Sequence, residues 1–213
     1  MTATPARPRV AIVDTGSGNL RSVEKALTFA GAEAYVTGDP DVVAAADKIV
    51  VPGQGHFGAC AAGLARDGGA LRQAVLGAIH AGRPFMGLCV GLQLLFDGSE
   101  EDPSCPGLGV IPGRVRRFQV ALPLKVPHMG WNACTPGPAA AGSPYGGAED
   151  GTYFYFVHSF YPAPTDERDV ALWSDYGGRF CAAVARDNVY ASQFHPEKSQ
   201  AAGLALLSRF VSV

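Results

Sequence analysis

Apolar residues in the first half of the chain come in short blocks, each followed by a stretch in which they recur every three or four positions. The run Val10 to Asp14 leads into TGSGN and then into Leu20 to Ala30, so strand, glycine-rich turn and helix are predicted in that order. Ala34 to Thr37 and Lys48 to Val51 predict two more strands, separated by a Gly-Asp-Pro turn and an alanine-rich helical segment. Past PGQGHFG, helical segments are expected around Cys60 to Leu64 and at Leu71 to His80, followed by a strand at Phe85 to Leu88 and an apolar helix. Strands alternating with helices at this spacing predict a parallel sheet covered on both faces.

The texture changes at Pro103. Val110 to Val120, Leu124 to Val126, Thr152 to His158, Val170 to Ser174, Ala182 to Ala185 and Val189 to Gln193 are short runs between turn signals, read as strands, partly antiparallel. Thr135 to Gly151, with three prolines, five glycines and no periodicity, is expected as a surface loop. A last helix, Gln200 to Val213, places Leu204, Leu207, Phe210 and Val211 at helical spacing. The expected fold class is α/β: a mostly parallel central sheet flanked by helices, with an antiparallel strand extension in the second half. One domain is expected over residues 1–213, with 1–8 as a flexible N-terminal extension.

Composition narrows the partners. At 213 residues and 47% hydrophobic content the chain can bury a sizeable core. With 17 basic and 19 acidic residues it carries no footprint for nucleic acid or an anionic membrane. No apolar stretch approaches a membrane span, and the N-terminal run is too short for a signal-peptide core, so the cytosol is the expected compartment. Cys60, Cys89, Cys105, Cys134 and Cys181 are odd in number and form no CxxC pair, which favours free thiols over a disulfide framework or a zinc site. His56, His80, His128 and His158 lack metal-ligand spacing and are assigned structural or supporting roles; no metal or cofactor is expected.

The chemistry concentrates at RPFMGLCVGLQLLF. Gly87, Cys89 and Gly91 repeat the logic of the G-x-S-x-G elbow, in which the nucleophile sits in a sharp strand-to-helix bend whose neighbours two positions away must lack bulk. Unpaired N–H groups and the positive end of the following helix would favour thiolate over thiol. A buried structural cysteine is the competing reading.

A cysteine nucleophile needs a base. In QFHPEKS, Pro196 biases His195 toward extended geometry, where residues two apart project to one side, so Glu197 can lie beside the imidazole and orient it. Cys89, His195 and Glu197 then fill the nucleophile, base and orienter roles. The alternative is that His195 caps the final helix and Glu197 is a solvated first-turn acid. An oxyanion needs donors, and PGQG at Pro52 to Gly55 follows a strand, at the sheet edge where α/β proteins bind ligands. The Val90 N–H, next after the nucleophile, is the natural second donor.

Together GLCVGLQ, PGQG and FHPE resemble the class I (triad) glutamine amidotransferases. DTGSGNLRSVEKAL at 14–27, PGQGHFG at 52–58, GLCVGLQLLF at 87–96, PHMGWN at 127–132, YFVHSF at 155–160 and QFHPEKS at 193–199 are similar to the glutaminase subunits of imidazole glycerol phosphate synthase. The blocks span nearly the entire chain. PHMGWN and FHPEKS carry most of the specificity, and Thr15 departs from the aromatic residue the family often has there.

The resemblance implies hydrolysis of glutamine to glutamate and ammonia, through attack of Cys89 on the side-chain amide and a γ-glutamyl thioester. It implies Gln54 and Val90 as oxyanion donors, and Gly53, Gln93, Ser159 and Phe160 as substrate contacts. It also implies a partner: a (β/α)₈-barrel cyclase that accepts the ammonia and makes imidazole glycerol phosphate and an aminoimidazole carboxamide ribotide. Asn19, Trp131 and Lys198 would face that cyclase, and the Gln54 peptide would reorient before donating, so activity would depend on the partner. Rival readings are a glutaminase of pyridoxal phosphate or anthranilate synthesis, against which PHMGWN and HPEKS weigh, a cysteine α/β-hydrolase, and a non-catalytic binding module. The hydrolase order places the acid before the histidine, unlike Cys89, His195, Glu197.

Overall fold

The computed structural model describes residues 7–213. Most of the expected extension at 1–8 thus lies outside the described residues; Pro8 is tied in, its carbonyl accepting a hydrogen bond from Glu33 N at 2.9 Å. The first half runs β1 (Arg9–Val13), α1 (Leu20–Phe29), β2 (Glu33–Thr37), α2 (Pro40–Ala44), β3 (Lys48–Gly53), α3 (Phe57–Ala65), α4 (Ala70–His80), β4 (Phe85–Cys89) and α5 (Val90–Gln93). The second half runs β5 (Gly98–Ser99), β6 (Gly113–Arg117), β7 (His128–Pro136), β8 (Thr152–His158), β9 (Phe160–Pro164), β10 (Val170–Asp175), β11 (Arg179–Arg186), β12 (Val189–Ser192) and α6 (Gln200–Ser212).

The large mixed sheet has the order β2-β1-β3-β4-β12-β11-β10-β7-β8, and a small sheet, β5-β6-β9, stands beside it. From β2 to β12 every pairing is parallel; from β12 to β8 every pairing is antiparallel. The expected mostly parallel sheet with an antiparallel extension is therefore present. Its last parallel strand, β12, comes from the C-terminal part of the chain and inserts beside β4.

Burial explains the strand patterns. β3 and β4 are buried at every position, as a strand covered on both faces must be, so apart from Lys48 at the start of β3 their sequences read as apolar runs. Along β1, Val10 and Ile12 join the core under α1 and α6, whereas Ala11 and Val13 join the core under α2, α3 and α4. Helix starts follow local chemistry: Asp39 accepts from Asp41 N at 2.9 Å ahead of Pro40, and His56 Nδ1 accepts from Gly58 N at 3.1 Å.

Several expectations are corrected. Leu124 to Val126 is not a strand: Pro123 and Pro127 bracket it, and neither can donate to a ladder. Thr135 to Gly151 is an exposed loop over most of its length, but Thr135 and Pro136 continue β7 and a 3₁₀ turn at Pro144–Gly147 drives the fully buried Tyr145 under α6, where Arg209 Nε donates to the Pro144 carbonyl at 2.7 Å. The helix after Cys89 is a single turn, because Leu94 to Asp97 bend away to pair their backbones with the segment around Gly107 to Gly113. Only Gly113–Arg117 of the Val110 to Val120 run is strand, and β5, β7 and β9 are additional.

Candidate active site

Three adjacent parallel strands bring the site together. Gly53 at the end of β3 pairs with Cys89 at the end of β4, and Leu88 pairs with Ser192 at the end of β12. PGQG, the elbow and QFHPE thus emerge side by side at the carboxyl edge of the sheet.

Cys89 adopts φ 55°, ψ −109°, a strained conformation for a residue with a side chain. The packing around it shows why it is flanked by glycines. A Cβ on Gly87 would lie 2.6 Å from the Gly91 carbonyl oxygen, one on Gly91 would overlap the Val51 carbonyl, and one on Gly53 would lie 2.8 Å from Val90 Cβ. The elbow is a close approach of three backbones, and only glycine permits it. With only four residues, α5 has no summed helix dipole of the expected kind to act on the sulfur.

His195 follows β12 in extended conformation, φ −99°, ψ 96°, as Pro196 requires. Its backbone is clamped: the N–H donates to Tyr155 O at 2.9 Å, and the carbonyl accepts from Ser199 Oγ at 2.6 Å. The ring Nδ1 donates to Glu197 Oε1 at 2.9 Å, with the two side chains only 6% and 2% exposed. His195 caps nothing with its side chain and Glu197 is not solvated, so the capping alternative fails on both counts. Burial disfavours the imidazolium, but the adjacent Cys89 sulfur and the Glu197 carboxylate outweigh it and raise His195 to about 9. The other ring nitrogen, Nε2, is buried and has no hydrogen-bond partner.

A cavity of about 270 Å³ opens in front of Cys89, lined by Gln54, Val90, Gln93, Glu101, His158 and Phe160 among others. Gln93 Nε2 donates to Phe160 O at 3.2 Å and to Gln193 Oε1 at 3.1 Å, and Gln193 Nε2 donates to Cys89 Sγ at 3.7 Å. Below the PGQG loop, Cys60 Sγ contacts the Gln54 carbonyl at 3.8 Å and Ser17 Oγ at 3.0 Å. Burial pushes the Cys60 thiol up, as suits a structural thiol rather than a second nucleophile. No group of three His, Cys, Asp or Glu suited to a metal occurs among the described residues.

A family profile for class-I glutamine amidotransferase matches residues 11–212. The imidazole glycerol phosphate synthase subunit HisH of Geobacter metallireducens is 50% identical over 206 residues, covering 94% of this chain and 96% of that one. The subunit of the same name from Methanothermobacter thermautotrophicus is 48% identical over 204 residues, covering 96% and 98%. The chain belongs to the HisH family of class-I glutamine amidotransferases. Solved structures agree on the fold: one titled glutamine amidotransferase superposes with TM-score 0.72 at 22% identity, covering 96% of this chain and 99% of that one. A chain of PurLQS from Thermotoga maritima gives TM-score 0.72 at 19% identity, covering 97% and 99%.

Of the residues singled out for this amidotransferase, Gln54, Cys89, Val90, Gln93, Ser159 and Phe160 line one cavity. Gly53 sits behind it, packed on Val90, and the buried His195–Glu197 pair bears on the sulfur. Asn19, Trp131 and Lys198 lie outside the cavity. Asn19 is exposed at the start of α1, which packs on the Pro196–Lys198 turn, and that turn packs on β8 near Trp131. Sequence reasoning missed Gln193 and left His158 without a specific role. Both sit within quoted motifs, but nothing in residue type or spacing marks His158 as lining the cavity or Gln193 as bridging Gln93 and Cys89.

Proposed function

We propose that Cys89, His195 and Glu197 carry out the glutamine hydrolysis of a HisH-family amidotransferase. As a member of that family the chain is the glutaminase subunit of imidazole glycerol phosphate synthase, an enzyme of histidine biosynthesis. The observation that carries the residue roles is the buried His195–Glu197 pair held beside a cysteine in a strained elbow.

The steps follow from the protonation state. In the reactive ion pair the imidazole carries the proton and the sulfur the negative charge, and the sulfur attacks the amide carbon of a glutamine side chain. The carbonyl oxygen becomes an oxyanion, received by the N–H groups of Val90 and Gln54. His195 Nε2, on the ring edge away from Glu197, gives its proton to the departing nitrogen, and ammonia leaves. The thioester is then hydrolysed: neutral His195 takes a proton from water, hydroxide adds to the carbonyl, and sulfur leaves as glutamate is released. Glu197 fixes the tautomer throughout and stabilises the imidazolium.

The ammonia goes to a cyclase with a (β/α)₈ barrel, docked on the face that carries Asn19, Trp131 and Lys198. Support for a docking face comes from its exposed apolar side chains: Met129, Trp131 and Tyr153 are 64%, 45% and 59% exposed on neighbouring strands. The TGSG turn lies against the oxyanion loop, since a Cβ on Gly18 would sit 3.9 Å from Gln54 N. A partner touching Asn19 is therefore one residue from the backbone that must donate. The test is a glutaminase assay of this chain alone and with a candidate cyclase plus its nucleotide ligand. Weak activity alone and strong stimulation together are expected; equal rates would sink the partner-gated reading.

A further inference from the structure

Behind the substrate side of the cavity lies a buried polar chain that the triad does not use. His158 Nδ1 lies 2.8 Å from the Phe160 carbonyl oxygen, His158 Nε2 lies 2.9 Å from His128 Nδ1, and His128 Nε2 lies 3.3 Å from Asn132 Nδ2. His128 and His158 are 3% and 6% exposed and are walled in by rings: His128 stacks on Tyr176 at 4.1 Å and Phe156 at 4.9 Å, and Phe118 meets His158 edge-on at 5.1 Å.

Only one set of proton positions satisfies this arrangement with neutral rings. A carbonyl oxygen can only accept, so His158 Nδ1 is the donor to Phe160. A neutral His158 then has an acceptor at Nε2, which makes His128 Nδ1 the donor to it. His128 Nε2 is left as an acceptor, and Asn132 Nδ2 donates to it while sharing its other hydrogen with the Asp175 carbonyl at 2.8 Å. The Asn132 amide is not free to flip, because its Oδ1 accepts from Ala133 N at 2.9 Å. Burial depresses both histidines, His128 to about 4 and His158 to about 3, so neither competes for a proton at neutral pH. All three hydrogen bonds point from β7 toward Phe160.

The end point of the chain matters because of what else it holds. The Phe160 carbonyl also accepts from Gln93 Nε2, and Ser159 and Phe160 form the corner where the backbone leaves β8 in the large sheet for β9 in the small one. That corner lines the cavity in front of Cys89. The start of the chain, Asn132, is the neighbour of the half-exposed Trp131.

We propose that His128 and His158 are positioning residues for the glutamine subsite: a one-way hydrogen-bond chain from Asn132 to the Phe160 carbonyl sets the corner against which glutamine binds. The inference rests on the glutaminase reading given above. It separates the histidines from the bond-making steps, so they govern how tightly glutamine is held rather than how fast the thioester forms.

Half-replacements of His158 test it, with glutamate release measured in the complex with the cyclase and glutamine affinity measured by calorimetry on the same variants in a Cys89→Ala background. His158→Gln keeps an oxygen near the His128 donor and loses the donor to Phe160; His158→Asn keeps a donor near Phe160 and cuts the link to β7. His158→Gln is expected to raise KM and Kd for glutamine about tenfold, the equivalent of one lost buried hydrogen bond, with kcat changed less than about threefold. His158→Asn should recover most of the affinity. His128→Phe, which keeps the ring stack and touches no substrate, should still raise KM, because His158 loses the donor that fixes its tautomer. Nitrogen-15 spectra of the wild-type imidazoles should show protonated Nδ1 on both rings.

Unchanged KM and Kd in both His158→Gln and His128→Phe, with thermal unfolding showing folded proteins, would overturn the positioning role, as would a His158 ring protonated at Nε2. If wild type with the cyclase releases no glutamate, the underlying glutaminase reading fails instead, so the two failures are distinguishable. A variant that unfolds is replaced by the tautomer measurement, which needs no substitution.

Discussion

Strands β3, β4 and β12 are buried along their whole length, whereas β7 and β8 bury one face and leave Met129, Trp131 and Tyr153 in solvent. The first group ends in the loops that bear Gln54, Cys89 and His195; the second supplies the cradle around Phe160 and the apolar outer face. Reacting atoms need to be held within tenths of an ångström, and strands locked from both sides do that. Recognition of a substrate and a partner needs surface, which a strand with one open face retains. In the proposed mechanism the division of the sheet into parallel and antiparallel parts is also a division of labour.

The sharpest test of that division is loss of the nucleophile. Cys89→Ala should lower stimulated glutamate release by at least about a thousandfold while leaving thermal unfolding nearly unchanged. Retained turnover would remove the elbow from the reaction.

Paired glycine substitutions come next. Gly91→Ala forces a methyl group onto the Val51 carbonyl and should cost about 3 kcal/mol or more in denaturant unfolding. Gly130→Ala, at φ 137° on β7 with no atom within 4 Å of the added carbon, meets only backbone strain and should cost about 1 kcal/mol. Equal costs would mean that the parallel part is no more tightly packed than its neighbour.

Partner response should follow the other part. Trp131→Ala should leave the chain's own glutaminase rate within about twofold and weaken cyclase binding by about 2 kcal/mol, read by titration of stimulated activity. A loss of the basal rate would place Trp131 within the catalytic support instead.

The two parts should also fail at opposite ends of the pH scale. His195, raised to about 9 in the fold, contributes stability that is fully present below its ordinary value of 6.5 and is lost as pH rises through 9. His128 and His158, depressed to about 4 and about 3, are held neutral, so stability falls as pH drops below 6.5, by roughly 2 kcal/mol each at pH 5. Unfolding midpoints of wild type, His195→Gln and His128→Phe from pH 5 to 9.5 check both arms. If His128→Phe is as acid-sensitive as wild type, the buried pair is not the source. The smallest effect is expected from Tyr145→Phe. The Tyr145 hydroxyl is buried without a hydrogen-bond partner, so its removal should shift stability by less than about 1 kcal/mol.

The same contrast decided what could be read from the sequence. Two-sided burial gives uninterrupted apolar runs, so Lys48 to Val51 and Phe85 to Leu88 announced themselves, and the glycines around Cys89 carried their steric reason with them. One-sided strands spread their signal: β9 reads FYPAP, with two prolines, and β7 begins HMGWN, where only His128 of the first four is buried. Leu124 to Val126 misled for the opposite reason, since an apolar triplet looked like a strand although its flanking prolines cannot join a ladder. The proposed triad of Cys89, His195 and Glu197 was legible because its chemistry is local in sequence or tied to a turn. Gln193 and the His128–His158 chain were not, because their meaning arises from contacts across 30 to 104 residues of separation.

The insertion of β12 beside β4 has a consequence for the chain as it is made. Synthesis proceeds from the N-terminus and domains begin to fold as they emerge, so β4 and its cysteine appear long before β12. Until Val189–Ser192 arrives, one edge of β4 offers open hydrogen-bonding groups, and the thiol has no imidazole to take its proton. The last strand closes both gaps at once. A stalled or clipped chain would be at the same time chemically inert and exposed along a sheet edge, which is what proteases and chaperones recognise. Completion of synthesis is thereby coupled to onset of reactivity, and the incomplete chains that cannot hydrolyse glutamine are also the ones a cell can most readily clear.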